Sequence, residues 1–298
     1  MKRHDFFSDL HPLVSFLYFA LVLLFAMFLM HPLCLLISFA SALIYAWSLN
    51  GVKSVAHTIT FVLPIMLMAI IINTAFSHEG ITILTYLPSG NPLTKESILY
   101  GIAASFMLGA VVLWFSCVNA VMTTDKLVYL FGRVLPALSL LLSMTLRFVP
   151  RFARQFHAVK EAQVAMGKDL HRGNALCRIK SATAILSIMI TWSLENAIDT
   201  ADSMKSRGYG LTGRTAFSIY RFNGRDSVIL LWLLSSGVGM IAAWLGGVFS
   251  WHYYPMLGGS TTDIAFIAAG MLYLALCFTP LFLNGSESRK WKSSESKT

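Results

Sequence analysis

The chain has 298 residues, of which 56% are hydrophobic and 12% are charged, whereas a soluble globular domain carries about 25% charged residues. This composition excludes an ordinary soluble fold. The net charge of +9 does not indicate a nucleic-acid partner, because 15 of the 23 Lys and Arg residues lie in one stretch, residues 126–225, as in a cytoplasmic loop of a membrane protein.

Apolar runs long enough to cross a bilayer, about 20 residues each, follow one another along the chain. The predicted spans are residues 12–30, 33–49, 55–76, 98–122, 227–249 and 264–283. A turn-rich polar segment, residues 77–96, separates the third span from the fourth. None of the six contains Asp, Glu, Lys or Arg, which favours a scaffold over an ion-coupled carrier.

Four basic clusters agree with one membrane orientation: Lys2 with Arg3, Lys53, the central insert (residues 126–225) and the tail from Arg289 to Lys297. Positive loops stay in the cytoplasm, so we predict that both termini and the insert are cytoplasmic. The predicted fold class is all-α, a polytopic membrane protein with about six transmembrane helices. Its predicted parts are a four-helix membrane part (1–125), a cytoplasmic helical insert (126–225) and a two-helix membrane part with a basic tail (226–298).

The central insert has helical periodicity. Between residues 136 and 167 an apolar stripe has spacings of four, four, three and four, and it consists of Phe148, Phe152, Phe156, Val159 and Gln163. The stripe either packs within its own domain or on the membrane surface, or it is a docking face for a partner.

Charged residues follow the same helix. Arg147, Arg151 and Arg154 repeat at i, i+4 and i+7, which places three guanidinium groups on one face. That face either lies near lipid headgroups or contacts an acidic protein. Pro150 interrupts the run and predicts a kink.

A second helix is predicted over residues 181–207, and it carries an acidic row of Glu195, Asp199 and Asp202. The row either pairs with the basic face or is solvated. Both helices end in a small residue, a variable residue and Gly: Ala165-Met166-Gly167 and Ser206-Arg207-Gly208. Gly at that position is a C-cap signal, and Lys168 and Arg207 stand where a cation complements the helix dipole.

Motifs of several enzyme classes are missing. The sequence has no H-E-x-x-H, no G-x-S-x-G and no G-x-x-x-x-G-K-[ST], and its four cysteines form no C-x-x-C pair. We therefore predict no catalytic residue, metal site or cofactor in this chain. The missing P-loop motif also predicts that this chain does not bind ATP through such a loop.

Three motifs of the insert resemble the coupling region of the transmembrane T component of energy-coupling factor importers, the cobalt-transporter Q-like family. They are L-R-F-V-P-R-F at 146–152, A-Q-x-A-x-G at 162–167 and M-K-S-R-G-Y-G at 204–210. His-Pro-Leu before the first span and between the first two spans fits the same family. The resemblance covers most of the chain.

The resemblance implies the scaffold subunit of an ATP-driven importer of a vitamin or metal ion in a bacterial or archaeal cell membrane. In that family, coupling helices end in small-Arg-Gly tripeptides that sit in grooves of two cytoplasmic ABC-type ATPase subunits, where ATP and Mg bind. A separate small membrane protein captures the substrate. By resemblance, Arg207 contacts one ATPase, and Ser206 and Gly208 allow close approach. Met166 replaces the usual Arg, so either it packs apolarly or Lys168 supplies the charge.

Two other functions fit parts of the pattern. A conventional ABC permease also meets ATPases through cytoplasmic elements, but these are short loops rather than an insert of about 100 residues. A membrane-bound enzyme or lipid-binding anchor would place the basic insert on anionic headgroups, at about 1 kcal/mol per basic residue.

Overall fold

The computed structural model describes residues 5–77, 79–86, 92–134, 136–167, 175–209, 211, 220–259 and 263–295. Most of these residues are helical. The helices are α1 (Pro12–Phe28), α2 (Pro32–Phe76), α3 (Lys95–Val121), α4 (Thr124–Val134), α5 (Pro136–Ala165), α6 (Ala175–Ser206), α7 (Gly224–Leu245) and α8 (Ile264–Glu295). Two short antiparallel hairpins pair β1 (Ile83–Tyr86) with β2 (Pro92–Thr94), and β3 (Trp251–His252) with β4 (Gly258–Gly259).

Among the described residues, five helical segments are long and apolar enough to cross a membrane: Pro32–Leu49, Thr58–Phe76, Lys95–Val121, Gly224–Leu245 and Ile264–Gly285. Helix α1 corresponds to the first predicted span and is an apolar helix of 17 residues, the lower end of the spanning range. The prediction of an all-α polytopic membrane protein is therefore confirmed.

The second and third predicted spans are the two halves of α2. The break between them is at Gly51, where the backbone has φ 74° and ψ 172°. A positive φ is accessible to glycine at little cost because it has no Cβ. Gly51 thus lets one long apolar run turn into two separate spans.

The repeated His-Pro-Leu motif begins both α1 and α2. In each copy the histidine Nδ1 accepts a hydrogen bond at 3.3 Å from the backbone N–H of the leucine two residues later, His11 to Leu13 and His31 to Leu33. The intervening proline is the first helical residue, where its missing N–H is not needed. Burial lowers the pKa of His31. The motif is a helix start.

The chain divides into two compact units, which we call the membrane unit (1–127 with 220–298) and the insert unit (128–219). The core of the membrane unit is aromatic, and its largest fully buried side chains include Trp114, Tyr18, Tyr45, Tyr273 and Phe7. Their polar atoms have partners. Trp114 Nε1 donates to Ser38 Oγ at 3.1 Å, and the Tyr18 hydroxyl donates to the Cys277 carbonyl at 3.0 Å. Buried polar groups are tolerated when they are bonded in this way.

One helix boundary was predicted wrongly, and two short elements were not predicted. The polar segment 77–96 contains the β1–β2 hairpin, whose short strands follow no clear alternating pattern. The second insert helix begins at Ala175 rather than at residue 181, because apolar and basic residues extend its first turn. Helix α4 was not predicted, since its 11 residues mix charged and apolar side chains at the edge of the last N-terminal span.

Candidate coupling site

Both tripeptides end their helices with a left-handed glycine, as the C-cap pattern predicts. Gly167 has φ 79° and Gly208 has φ 73°. At the end of α6 the Gly208 N–H donates to the Lys205 carbonyl at 3.0 Å and the Tyr209 N–H donates to the Met204 carbonyl at 3.1 Å. These two bonds define a Schellman motif, which satisfies carbonyls that the helix leaves unpaired.

The middle residue of each tripeptide is exposed. At the end of α5 the Gly167 N–H donates to the Val164 carbonyl at 2.9 Å, and the Met166 side chain is 61% exposed. At the end of α6 Arg207 is also exposed, between exposed Ser206 and half-buried Gly208. Ala165 is exposed as well. The two helix ends therefore offer different chemistry, one apolar and one basic.

The apolar stripe of α5 serves partly as the core of the insert unit. Val159 is buried with Ile185 and Met189 of α6, and Phe152 packs edge-on against Trp192 with ring centroids 5.3 Å apart. The prediction that the stripe packs within its own domain therefore holds for Phe152 and Val159. Gln163 is buried on the same side. Phe156 stays 42% exposed.

A basic groove of about 420 Å³ lies between α5 and α6. Its polar lining consists of Arg147, Arg151, Asn196, Asp199, Thr200, Ser203, Arg207 and Tyr209. Arg151 Cζ lies 5.7 Å from the centre of the Trp192 ring, a cation–π distance. The groove thus joins two arginines of the basic row to Arg207 at the end of the other helix. Asp199 is the acidic residue that lines it.

The basic row of α5 does not act as one face in this groove. Arg154 is exposed, does not line the groove, and donates from Nε to the Pro150 carbonyl of its own helix at 3.4 Å. Helix α5 continues through Pro150 without ending there. Glu195 and Asp202 of the acidic row are exposed outside the groove lining.

An apolar cleft of about 430 Å³ adjoins the basic groove. Its lining is Thr145, Phe148, Val149, Phe152, Ser193, Asn196 and Ala197. Phe148 and Asn196 line both the cleft and the groove. The insert unit therefore presents a basic surface and an apolar surface side by side.

A second stripe, not predicted from the sequence, runs along α6 to its C-terminal end. It consists of Trp192, Asn196, Thr200, Ser203 and Arg207, at spacings of four, four, three and four, and all of these except Trp192 line the groove. This is the same helical spacing as the stripe of α5. The helical spacing is present in the sequence, but most of these residues are polar, so the stripe does not stand out as an apolar helix face.

Within the described ranges no group of three His, Cys, Asp or Glu side chains is arranged to hold a metal ion. Cys34, Cys117 and Cys277 are buried in the membrane unit. Lys168, the alternative source of charge near Met166, and Gly210 of the third motif lie outside the described residues.

The family model described as CbiQ, cobalt transport protein, matches residues 5–219, which include helices α1 to α6. The chain belongs to the CbiQ family. This match, together with relatives named as energy-coupling factor transporter transmembrane proteins, confirms the resemblance to the T component of energy-coupling factor transporters.

Several curated relatives of this family member carry the name energy-coupling factor transporter transmembrane protein EcfT. The protein from Lactococcus lactis is 39% identical over 95 residues, which is 32% of this chain and 36% of the relative. The protein from Bacillus selenitireducens is 33% identical over 37% of this chain and 42% of the relative. The protein from Lactobacillus helveticus is 34% identical over 33% of this chain and 35% of the relative. The matched segments thus span well under two thirds of each relative.

Proposed function

We propose that this CbiQ-family chain is the transmembrane scaffold that couples two cytoplasmic ABC-type ATPase subunits to a separate small substrate-binding membrane subunit. ATP and Mg bind to the ATPases, and the cargo is a micronutrient, a vitamin or a transition-metal ion. The observation that carries the proposal is the basic groove, because it joins Arg147 and Arg151 of α5 to Arg207 at the C-terminal end of α6.

The groove has the chemistry to receive an acidic partner surface. Three guanidinium groups, from Arg147, Arg151 and Arg207, offer planar donor pairs that match carboxylates in a bidentate manner. The hydroxyls of Thr200 and Ser203 add further donors. We propose that acidic side chains of one ATPase occupy this groove.

The end of α5 offers an apolar contact instead. Met166 is 61% exposed beyond the last helical turn, and a flexible thioether adapts to an apolar seat. An arginine and a methionine do not fit the same groove equally well. The difference supports two ATPase contacts of different chemistry, one at each helix end.

The substrate-binding subunit requires apolar surface on this chain. The apolar cleft beside Phe148 is one such surface on the insert unit. A second is the exposed side of the span Thr58–Phe76, of which only 6% is buried inside the chain. The positive insert supports a cytoplasmic location of the insert and of both termini, in the cell membrane of a bacterium or archaeon.

Charge reversal at the helix end tests the ATPase contact. The tagged chain is purified in mild detergent as wild type, Arg207→Glu and Arg154→Glu, and the copurifying subunits are identified by mass spectrometry. Loss of a paired, desolvated charge costs about 2–5 kcal/mol, so Arg207→Glu should lose one ATPase. Arg154→Glu makes the same charge change on an exposed residue outside the groove and should retain both.

Two outcomes contradict the proposal. Equal ATPase recovery in wild type and Arg207→Glu removes Arg207 from the contact. Purification of the wild-type chain alone from well-solubilised membranes contradicts the scaffold function itself, and it favours the lipid-anchor alternative.

A further inference from the structure

The seven residues before α1 form a compact turn. The Ser8 N–H donates to the Asp5 carbonyl at 3.0 Å, and the Ser8 hydroxyl donates to the same carbonyl at 2.7 Å. Asp9 N–H then donates to the Phe6 carbonyl at 3.2 Å. We call residues 5–11 the N-terminal segment. Its shape is fixed by its own backbone, so its outward contacts are held in place.

The N-terminal segment is anchored in the core of the membrane unit. The Phe7 ring is fully buried, and its centroid lies 5.0 Å from that of Tyr18 in an edge-on arrangement. The Phe7 N–H donates to Asn284 Oδ1 of α8 at 3.2 Å, and Asn284 Nδ2 donates in turn to Asp5. The Tyr45 hydroxyl of α2 donates to Asp5 Oδ2 at 3.2 Å. The segment is thus bonded to two spans.

The same segment holds the point where the chain leaves the membrane unit for the insert unit. We call residues 123–127 the first root. Lys126 is only 6% exposed, and its Nζ donates to the Ser8 carbonyl and, at 3.0 Å, to the Val121 carbonyl at the end of α3. Burial lowers the pKa of Lys126, and the charges of Asp9 and Asp5 oppose that shift.

The segment also holds the point where the chain returns. We call residues 220–226 the second root. The His11 N–H donates to Asp226 Oδ1 at 3.4 Å, and Asp226 Oδ2 accepts from the Asn223 N–H at 2.9 Å, which caps α7. The His11 ring lies edge-on against Phe222 with centroids 5.2 Å apart. One short segment therefore contacts both roots, which are about 100 residues apart in the chain.

A buried lysine is a poor way to gain stability. Desolvation of the ammonium group costs free energy, and an apolar residue of similar size at such a position is often neutral or stabilising. The hydrogen bonds of Lys126 serve to fix positions instead. They hold the Ser8 carbonyl and the end of α3 next to the Lys126 ammonium group. The Tyr220 hydroxyl, bonded to Thr123, adds a direct link between the two roots.

We propose that the N-terminal segment is a brace, and that Lys126 is the positioning residue through which it fixes the separation of the two roots of the insert unit. The purpose of the brace rests on the proposed function: a scaffold that transmits ATPase motion needs fixed attachment points, because otherwise the motion is lost as flexing at the roots. The existence of the brace does not depend on any partner.

The test measures the distance between the roots in the full chain, in lipid nanodiscs and without partners. Nitroxide labels are placed at Thr124→Cys and Arg221→Cys, two exposed positions, in a Cys177→Ser background. The three buried cysteines Cys34, Cys117 and Cys277 remain. Pulsed electron resonance then gives the distance distribution, and heat unfolding of the same samples gives their stability.

We expect one narrow distance distribution in the unmodified brace and a broader one in Lys126→Met, with little change in the unfolding temperature. Lys95→Met removes an exposed lysine at the start of α3 and should leave the distribution narrow. Asn284→Ala cuts the anchor on α8 without touching either root, and it should also broaden the distribution.

Unchanged distributions in both Lys126→Met and Asn284→Ala overturn the brace. A fall in unfolding temperature with an unchanged distribution also overturns it, because Lys126 is then only a cap for α3. If Lys126→Met does not insert, Asn284→Ala alone decides the question. Failure of the ATPase subunits to copurify would remove the proposed function and leave this distance measurement intact.

Discussion

Replacing Gly208 by alanine should open the C-terminal end of α6. The glycine has φ 73°, and an L-residue in that conformation costs roughly 1–2 kcal/mol because its Cβ crowds the following carbonyl. The new Cβ would also lie 3.1 Å from Leu211 Cδ1, closer than an ordinary contact. The cost falls on the closed helix end, since the opened end is free to leave the left-handed region.

The Tyr209 amide reports this opening. It donates to the Met204 carbonyl at 3.1 Å, so it exchanges with solvent only when the helix end opens. A loss of about 1–2 kcal/mol corresponds to roughly 5- to 30-fold faster exchange. Hydrogen–deuterium exchange mass spectrometry on a peptide covering residues 204–209 measures the rate. Gly208→Asn should fall between wild type and alanine, because asparagine tolerates the left-handed region better.

Gly167→Ala is the matched control. Its φ of 79° imposes the same strain at the end of α5, but its new Cβ meets nothing within 4 Å. Exchange near residue 167 should rise while the 204–209 peptide stays at the wild-type rate. An unchanged Tyr209 rate in Gly208→Ala would refute the view that the left-handed glycine holds the helix end that presents Arg207.

Two further predictions concern the membrane unit, both read from heat unfolding in detergent. Gly109→Val should lower the unfolding midpoint, because its Cβ would lie 2.8 Å from Met66 Sδ and overpacking costs about 1–3 kcal/mol. Gly270→Val is the control and should leave the midpoint unchanged, because a Cβ there meets nothing within 4 Å. Burial raises the pKa of Asp5 above its ordinary 3.8, so the folded chain binds this proton more tightly than the unfolded chain. That contribution to stability grows as pH falls through the raised pKa and is lost as pH rises, so Asp5→Asn should flatten the pH dependence. Parallel curves for Asp5→Asn and wild type would contradict this.

The spans were predictable because the composition of a segment largely decides whether it is stable in lipid. A helix in a bilayer needs an uninterrupted apolar run, and the runs ending before Lys53 and before the β1–β2 hairpin show this directly. The capping glycines were predictable for a related reason, since Gly167 and Gly208 mark a local backbone conformation.

The groove and the brace depend on long-range packing that no local pattern carries. Arg147 and Arg207 are 60 positions apart, and only the pairing of α5 with α6 through Phe152 and Trp192 brings them to one groove. Lys126 was counted among the positive charges of the insert, yet its partner Ser8 lies 118 positions earlier. Sequence periodicity shows which residues share a helix face, but only the tertiary structure shows what that face contacts.

The break at Gly51 leaves the following span, Thr58–Phe76, almost unburied within its own chain. Where such a helix meets lipid, exchanges among Leu, Ile, Val, Met and Phe change little, because lipid tails are as apolar as these side chains. The lipid-facing positions of this span can therefore diverge in sequence, whereas Met66 packs beside Gly109 of α3 and is constrained. Its neighbour across the break, packed against the aromatic core, does not have that freedom.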